Sequence, residues 1–325
     1  MHGNNAADWR GTLEDQAGVA GRPQVLRVGI SRDLVRRRLD SGRWQRLHRG
    51  VYATFSGPQP RQAQLWAALL RAGPGATLSH YTAAELHGLT DAPSEQIHVT
   101  VPATRNPARR RKIAGLVIHR SSRIGAARHP ALAPPRTRVE DTVLDLVETS
   151  RDFDEAFTWL CRAVGRRRTT VPLLAAAVAA RTRMRWRAEL NAALADVADG
   201  VHSLLERRYV TDVERAHGLP RGARQVRRRN GGNEARSTYI DNLYADYDVC
   251  VEVDGTAAHP VDQRWNDVRR DNANTACGTA TLRFGWPDAT QRACQSAILV
   301  GDTLRRRGWP GSLRPCSPAC PAGRS

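Results

Sequence analysis

The chain has 325 residues, a length that fits two or three domains rather than one. Fifty basic residues against 32 acidic ones leave a net charge of +18, a field that favours polyanionic partners. No run approaches the ~18 apolar residues of a membrane span, and residues 1–10 lack the apolar core of a secretory signal, so a cytoplasmic protein with no membrane partner is expected. Lys112 is the sole lysine. Codon bias therefore explains Arg over Lys, but it does not explain basic over acidic.

Residues 1–10 read as a loose tail, and the first ordered block begins near residue 11. Residues 22–28 form a predicted short helix ending at Gly29. Ser31 is a good N-cap for the next helix, with Ile30 and Val35 at the N′ and N4 positions of a hydrophobic staple. That helix runs to about Ser41, where Gly42 suits the C′ position. Leu34 and Leu39 can face a core while Arg32, Arg36 and Arg37 point outward. Residues 44–53 read as two short strands with a turn at Arg49-Gly50. Helix, turn, basic helix and hairpin is the order of a winged helix-turn-helix; a small three-helix packing module is the alternative.

This block resembles the N-terminal winged-helix domain of AbiEi-type antitoxins. The matching runs are Gly29-Ile30-Ser31, Arg36-Arg37-Arg38-Leu39, Ser41-Gly42-Arg43-Trp44 and, most specifically, Leu47-His48-Arg49-Gly50-Val51-Tyr52. The resemblance implies that residues 11–56 bind duplex DNA, with Arg32, Arg36, Arg37 and Arg43 at the interface. It also implies autoregulation of an operon, and leaves a toxin partner or a homodimer open.

Residues 57–200 read as an antitoxin-like α+β middle region, mainly helical. Helices are predicted over 62–71, 81–87 (capped by Ser79), 139–148, 154–164, 173–180 and 189–198. Two strands, 97–101 and 116–119, flank a basic loop at 105–112. No catalytic constellation stands out. Ser79-His80 and Asp91 lack a G-x-S-x-G elbow and are expected to be caps and surface.

Residues 201–310 carry the chemistry. Residues 203–217 form a predicted amphipathic helix with Leu204, Leu205 and Tyr209 on its buried side and Glu206 among them. Residues 221–236 are rich in arginine, either tracking phosphates or forming a solvated loop. Residues 239–243 and 249–253 then read as strands joined by a turn at 245–248. Asp241 and Glu252 therefore fall on adjacent strands of a hairpin, and Glu252 shares a face with Asp254. Carboxylates so placed are costly without compensation, which a divalent cation supplies. Mg²⁺ or Mn²⁺ held by Asp241 and Glu252 could activate water toward a phosphodiester, with His259 exchanging a proton.

These residues resemble the PD-(D/E)XK nuclease superfamily, and more closely the branch related to very-short-patch mismatch-repair endonucleases. Glu206 matches the acidic residue of the first helix, Asp241 the motif aspartate and Glu252 the second acidic position. Asp254 stands where the superfamily usually has lysine, and His259 keeps the spacing of a histidine in the short-patch enzymes. Arg264-Trp265, Arg270-Asp271-Asn272, Gly278 and Leu282-Arg283-Phe284-Gly285-Trp286 also match. The resemblance implies a restriction-endonuclease-like α/β domain, and Arg270 toward nucleic acid. The absent lysine is a departure. Arg270 or Arg283 can replace its charge, but arginine is a poor proton donor or acceptor at neutral pH. An inert turn-and-cap set in a retained fold is the alternative for Asp241, Glu252 and Asp254. Trp265, Phe284 and Trp286 are expected in the core.

Residues 311–325 read as a disordered tail, rich in Pro, Ser, Gly and Arg. The six cysteines are scattered, and Cys316 and Cys320 form a lone C-x-x-x-C. With no second pair nearby in sequence, a zinc site is not expected. The architecture predicted is thus multidomain α/β. The leading functional expectation is a metal-dependent DNA endonuclease targeted by its winged helix. The alternative is a non-catalytic DNA-binding regulator or antitoxin-like protein, and a third reading is an RNA-acting toxin.

Overall fold

The computed structural model describes residues 2–104, 113–229, 237–253, 276 and 278–323. The chain divides into two compact units, Met1–Arg185 and Trp186–Ser325. No helix among the described residues is long and apolar enough to cross a membrane. Asp254, His259 and Arg270, with the downstream motif at Arg264-Trp265 and Arg270-Asp271-Asn272, lie outside the described residues, as does the basic loop at 105–112.

The first unit opens with α1 (His2–Asp15), β1 (Val19–Gly21), α2 (Arg22–Arg27), α3 (Arg32–Asp40), β2 (Gln45–His48) and β3 (Val51–Ala53). The strands form an antiparallel sheet of order β1-β3-β2. The capping signals act as sequence chemistry dictates. The Ser31 hydroxyl accepts from the Leu34 N–H at 3.2 Å, and Gly42 adopts a φ of 70°, the left-handed geometry that ends a helix without a Cβ penalty. Val25, Val35, Trp44 and Tyr52 form the core of this module, with Trp9, Leu13, Ile30 and Leu39 packed against it. Trp9 and Leu13 lie on α1. The segment expected as a loose N-terminal tail, residues 1–10, is therefore helical from His2 onward, and Trp9 anchors it.

The rest of the unit contains α4 (Arg61–Ala72), β4 (Thr77–Leu78), α5 (His80–Leu86), β5 (Ile97–Pro102) and β6 (Leu116–Ser121), followed by helices α6 (Ile124–Ala127), α7 (Val139–Thr149), α8 (Phe153–Gly165) and α9 (Val171–Ala179). In this second sheet β4 runs antiparallel to β5, and β5 parallel to β6. Leu65 and Leu69 of α4 pack with Leu78, Ile97, Val99 and Val101. Ser79 and His80 are not surface groups, as the sequence suggested, but are buried. The His80 ring stacks on His119 with centroids 3.6 Å apart, and the His98 and His119 ring nitrogens approach to 3.0 Å. Asp91 does lie at the surface, 2.8 Å from Arg166.

The second unit begins with α10 (Arg187–Ala198) and α11 (Leu204–Arg208), which continues directly as a π-helix over Tyr209–Arg215. A four-stranded sheet follows, built from β7 (Ala223–Arg229), β8 (Ser237–Tyr244), β9 (Val249–Val253) and β10 (Ala280–Phe284) in the order β10-β9-β8-β7. β7, β8 and β9 form an antiparallel meander, and β10 pairs parallel to β9. A short helix, Trp286–Ala289, and a longer one, Ala293–Arg306, close the unit. Ala297, Val300 and Leu304 are buried on the longer helix, as are Leu205, Tyr209 and Val213 on the helix and π-helix facing it.

Three features of this unit depart from expectation. Part of the arginine-rich stretch is not a loop but strand β7, at the edge of the sheet. Charged side chains suit that place, because they discourage pairing with another chain. Phe284 is buried, but Trp286 is 43% exposed rather than in the core. Most of the C-terminal segment expected as a disordered tail is folded. Cys320 and Ala322 are 4% and 2% exposed, a short 3₁₀ turn spans Pro321–Gly323, and the Arg314 N–H donates to the His217 carbonyl at 3.0 Å.

Candidate functional site

Two places carry the residues singled out by sequence, one in each unit. In the first, Ser31 fixes the start of α3, and Val35 and Leu39 turn one face of that helix into the core. The opposite face then presents Arg32, Arg36 and Arg37 to solvent, and Arg43 follows in the exposed turn before β2. Arg36 sits 3.7 Å from Asp40 with both side chains largely exposed, a pairing weak enough to yield to a phosphate. Arg38 behaves differently: its guanidinium lies 4.9 Å from the centre of the Trp44 ring, a cation–π contact that holds it against the domain. The structure thus leaves the four predicted arginines of this module exposed, whereas Arg38, not among them, is engaged in packing.

In the second unit, strand register brings the acidic residues into one row. Asn242 pairs with Val251 and Leu243 with Cys250, so one step further along the strands Asp241 stands opposite Glu252. Directly opposed residues of an antiparallel pair share a face. Glu252 pairs in turn with Arg283 on β10. On the other side, Arg224 pairs with Asn242 and Val226 with Ile240, leaving Gln225 beside Asp241. Gln225 has a φ of 47°, and its amide Nε2 donates to Asp241 Oδ1 at 3.3 Å. The other Asp241 oxygen accepts from the Val253 N–H at 2.9 Å. Gln225, Asp241, Glu252 and Arg283 therefore cross four strands. Sequence reading missed Gln225, because nothing in a run of arginines marks a strand.

Glu206 joins this row from α11. Ser203 caps the helix by accepting from the Glu206 N–H at 3.1 Å, and Glu206 Oε2 accepts from the His202 N–H at 2.9 Å. Its carboxyl pKa is raised, chiefly by burial and further by the Asp241 carboxylate, although hydrogen bonds from His202, Ser203 and Gln225 oppose the shift. Glu252 is 5% exposed, and an ionised carboxylate buried to that degree is costly without a partner. The oxygen donors of Asp241 and Glu252 suit a hard divalent cation such as Mg²⁺. Convergence is less complete for the trio. Among the described residues, two groups of three or more histidine, cysteine or acidic side chains bring their ligand atoms within 4.8 Å of one another, and Glu206, Asp241 and Glu252 are not among them.

The opposite side of β8 is occupied by structure rather than chemistry. Glu214, 3% exposed, accepts from Arg224 Nη2 at 2.5 Å, from the Tyr244 hydroxyl at 3.0 Å and from Asn242 Nδ2 at 3.3 Å. This ion pair and its hydrogen bonds fill the space between the π-helix and the sheet.

Comparison with known proteins bears on the first of the two places. No curated protein matches the chain. Among solved structures, the Rv2827c protein of Mycobacterium tuberculosis aligns with a TM-score of 0.36 and 17% identity, covering 55% of this chain and 72% of that one. Residues 12–54 match the model of a family described as transcriptional regulator, AbiEi antitoxin, and α3 with its exposed arginines lies within that matched segment.

Proposed function

We propose that the protein is a duplex-DNA-binding regulator of the antitoxin kind, which engages DNA through a winged helix formed by α1–α3 and the β2–β3 hairpin. The observation that carries this reading is the match of residues 12–54 to the AbiEi antitoxin regulator family. That segment includes a helix whose solvent face holds Arg32, Arg36 and Arg37. An α-helix fits the major groove, and arginines around it neutralise phosphates and read guanine edges. The test is fluorescence anisotropy of a labelled duplex across a salt series. The double variant Arg36→Ala/Arg37→Ala should bind more weakly, with its salt slope reduced by about 0.9 for each phosphate that the variant no longer neutralises. Unchanged affinity and slope would remove α3 from the interface.

A second reading is favoured by a different observation, the placement of Asp241 opposite Glu252 with Glu206 alongside. On this reading the second unit is a Mg²⁺- or Mn²⁺-dependent endonuclease of the PD-(D/E)XK kind, delivered to DNA by the winged helix. Asp241 and Glu252 would hold the cation, which supplies Lewis-acid polarisation of a phosphate and activation of water when bound. Arg283, beside Glu252, would supply positive charge in place of the missing lysine. Asp254, His259 and Arg270, which lie outside the described residues, would join the site on the sequence resemblance alone. Incubating supercoiled plasmid with Mg²⁺ and, separately, with Mn²⁺ tests it, with Asp241→Asn as the control. Nicking by the parent and loss of nicking in the variant support the nuclease. No cleavage of any nucleic acid leaves the regulator reading alone.

A further inference from the structure

Four side chains from three stretches of the sequence meet where the C-terminal segment folds back on the second unit. His217 follows the π-helix, Cys294 lies in the first turn of helix Ala293–Arg306, and Cys316 and Cys320 come from the Pro- and Ser-rich segment that follows. Their ligand atoms all lie within 4.8 Å of one another. Cys294 Sγ is 3.6 Å from Cys316 Sγ, and Cys320 Sγ is 3.4 Å from His217 Nε2.

These separations have a simple interpretation. Tetrahedral zinc holds thiolates at about 2.3 Å and imidazole nitrogen at about 2.0–2.1 Å, which makes the S···S edge about 3.8 Å and the S···N edge about 3.6 Å. Both observed distances lie within a few tenths of an ångström of those edges. A disulfide would need its sulfurs at about 2.05 Å, and Cys294 and Cys316 are much further apart.

The histidine is also prepared for the role. His217 is fully buried, and its Nδ1 lies 3.0 Å from the Val213 carbonyl. A carbonyl oxygen can only accept, so Nδ1 carries the proton and donates. That fixes the tautomer in which Nε2 presents its lone pair toward Cys320, as the second ring nitrogen of a metal-bound histidine does. Backbone geometry closes the loop of ligands: the Cys320 N–H donates to the Ser317 carbonyl at 3.0 Å, in a turn between the two tail cysteines. The segment from Ser312 to Gly323 has one large aliphatic side chain, Leu313, yet it is folded against the unit. A short segment with so little bulk to bury is what a metal staple stabilises.

We propose that His217, Cys294, Cys316 and Cys320 bind one structural zinc ion in a Cys₃His site. Binding deprotonates three thiols, releases their protons and leaves a closed four-coordinate ion with no position for water. The ion ties the C-terminal segment to the π-helix and to the last helix. It is separate from the carboxylates of the sheet, which offer oxygen ligands only.

Metal analysis of the full chain, expressed in zinc-containing medium and purified without chelator, is the direct test. Roughly one zinc per chain is expected, as for other closed sites. Anaerobic replacement by Co²⁺ should give the intense red-region d–d bands of tetrahedral cobalt together with thiolate-to-cobalt charge transfer. Cys316→Ser/Cys320→Ser should lose both signals, whereas Asp241→Asn should keep its full zinc content. If the cysteine variant fails to fold, the parental cobalt spectrum still decides. A parent purified under thiol reductant that holds no zinc and gives no tetrahedral cobalt spectrum overturns the proposal. So does a cysteine variant that retains its zinc, or a Cys294–Cys316 disulfide in the reductant-purified parent.

Discussion

The Asp241 carboxylate lies close enough to Glu206 to raise its pKa, adding to the larger effect of burial. Two acids brought together in this way are a cost that folding alone does not require. A group whose folded pKa is raised contributes stability below its unfolded pKa, and that contribution is lost as pH rises through the folded value. Above the ordinary carboxylate range, therefore, the charge of Glu206 works against the fold. Glu206→Gln should raise the melting temperature at neutral pH, by the equivalent of about 1 kcal/mol, and should gain less near pH 4. Thermal unfolding of both proteins at the two pH values in metal-free buffer checks this. A gain that is the same at both pH values would show that charge is not the cause.

Arg224 and Glu214 are buried together, with side chains 6% and 3% exposed. Removing Arg224 leaves the Glu214 carboxylate buried with only neutral donors, Tyr244 and Asn242 among them. Arg224→Met should destabilise the chain by about 3–5 kcal/mol, seen as a lower melting temperature with the second unit unfolding first. The double variant Arg224→Met/Glu214→Leu should recover part of the loss, because neither charge remains unpaired. Equal destabilisation in the single and double variants would assign the effect to packing alone.

Much of the first unit was legible because its signals are local. Ser31, Gly29 and Gly42 mark helix ends by chemistry confined to a single turn, and the hairpin turn at Gly50 follows the same logic, with a φ of 78°. β5, β8 and β9 were legible because an apolar run or alternation shows a strand directly. What escaped was set by long-range contact. α1 is mostly polar, and among its described side chains Trp9 and Leu13 commit it to the core. β7 is a row of arginines made into a strand by its pairing with β8. The parallel pairing of β9 with β10 places Arg283 beside Glu252, a proximity that linear spacing does not contain. The Cys₃His cluster is the extreme case. His217 and Cys320 lie 103 residues apart, so the C-x-x-x-C looked alone until the chain folded around it.

A Ser31→Ala substitution isolates one local signal. Its hydroxyl satisfies the Leu34 N–H at the start of α3, and loss of such a cap costs about 1 kcal/mol. Because α3 carries the proposed DNA contacts, Ser31→Ala should lower the melting temperature of the first unit by a few degrees while leaving the salt slope of DNA binding unchanged. Ser31→Asp should restore stability, since aspartate caps as well and its charge favours a helix N-terminus. A changed salt slope in Ser31→Ala would instead place the hydroxyl in the DNA interface.

The histidine cluster of the first unit makes the stability of that unit depend on pH. Burial, reinforced by the neighbouring rings of His119 and His98, lowers the pKa of His80 to about 2, and burial with His98 lowers that of His119 to about 4. His98 is lowered by burial as well. All three are therefore neutral in the folded protein near pH 7, and each titrates near its ordinary value of 6.5 once unfolded. The sign follows directly. Below about pH 6.5 the unfolded chain binds protons that the folded chain refuses, so stability is full above that value and declines as pH falls toward about 4. Arg181 also acts on His80 in the same direction, and it pairs with Asp141 and Asp145 at 3.4 and 2.7 Å. Thermal unfolding of the metal-free full chain between pH 7.5 and 5 should show the first unit losing stability steadily while the second changes less. His119→Gln should flatten the pH dependence without abolishing it, because His80 and His98 remain. Gln keeps a polar atom where His119 faces His98, which separates charge from packing. If the melting temperature of the first unit stays level from pH 7.5 to 5, the three rings accept protons as readily folded as unfolded, and their stacking excludes no charge.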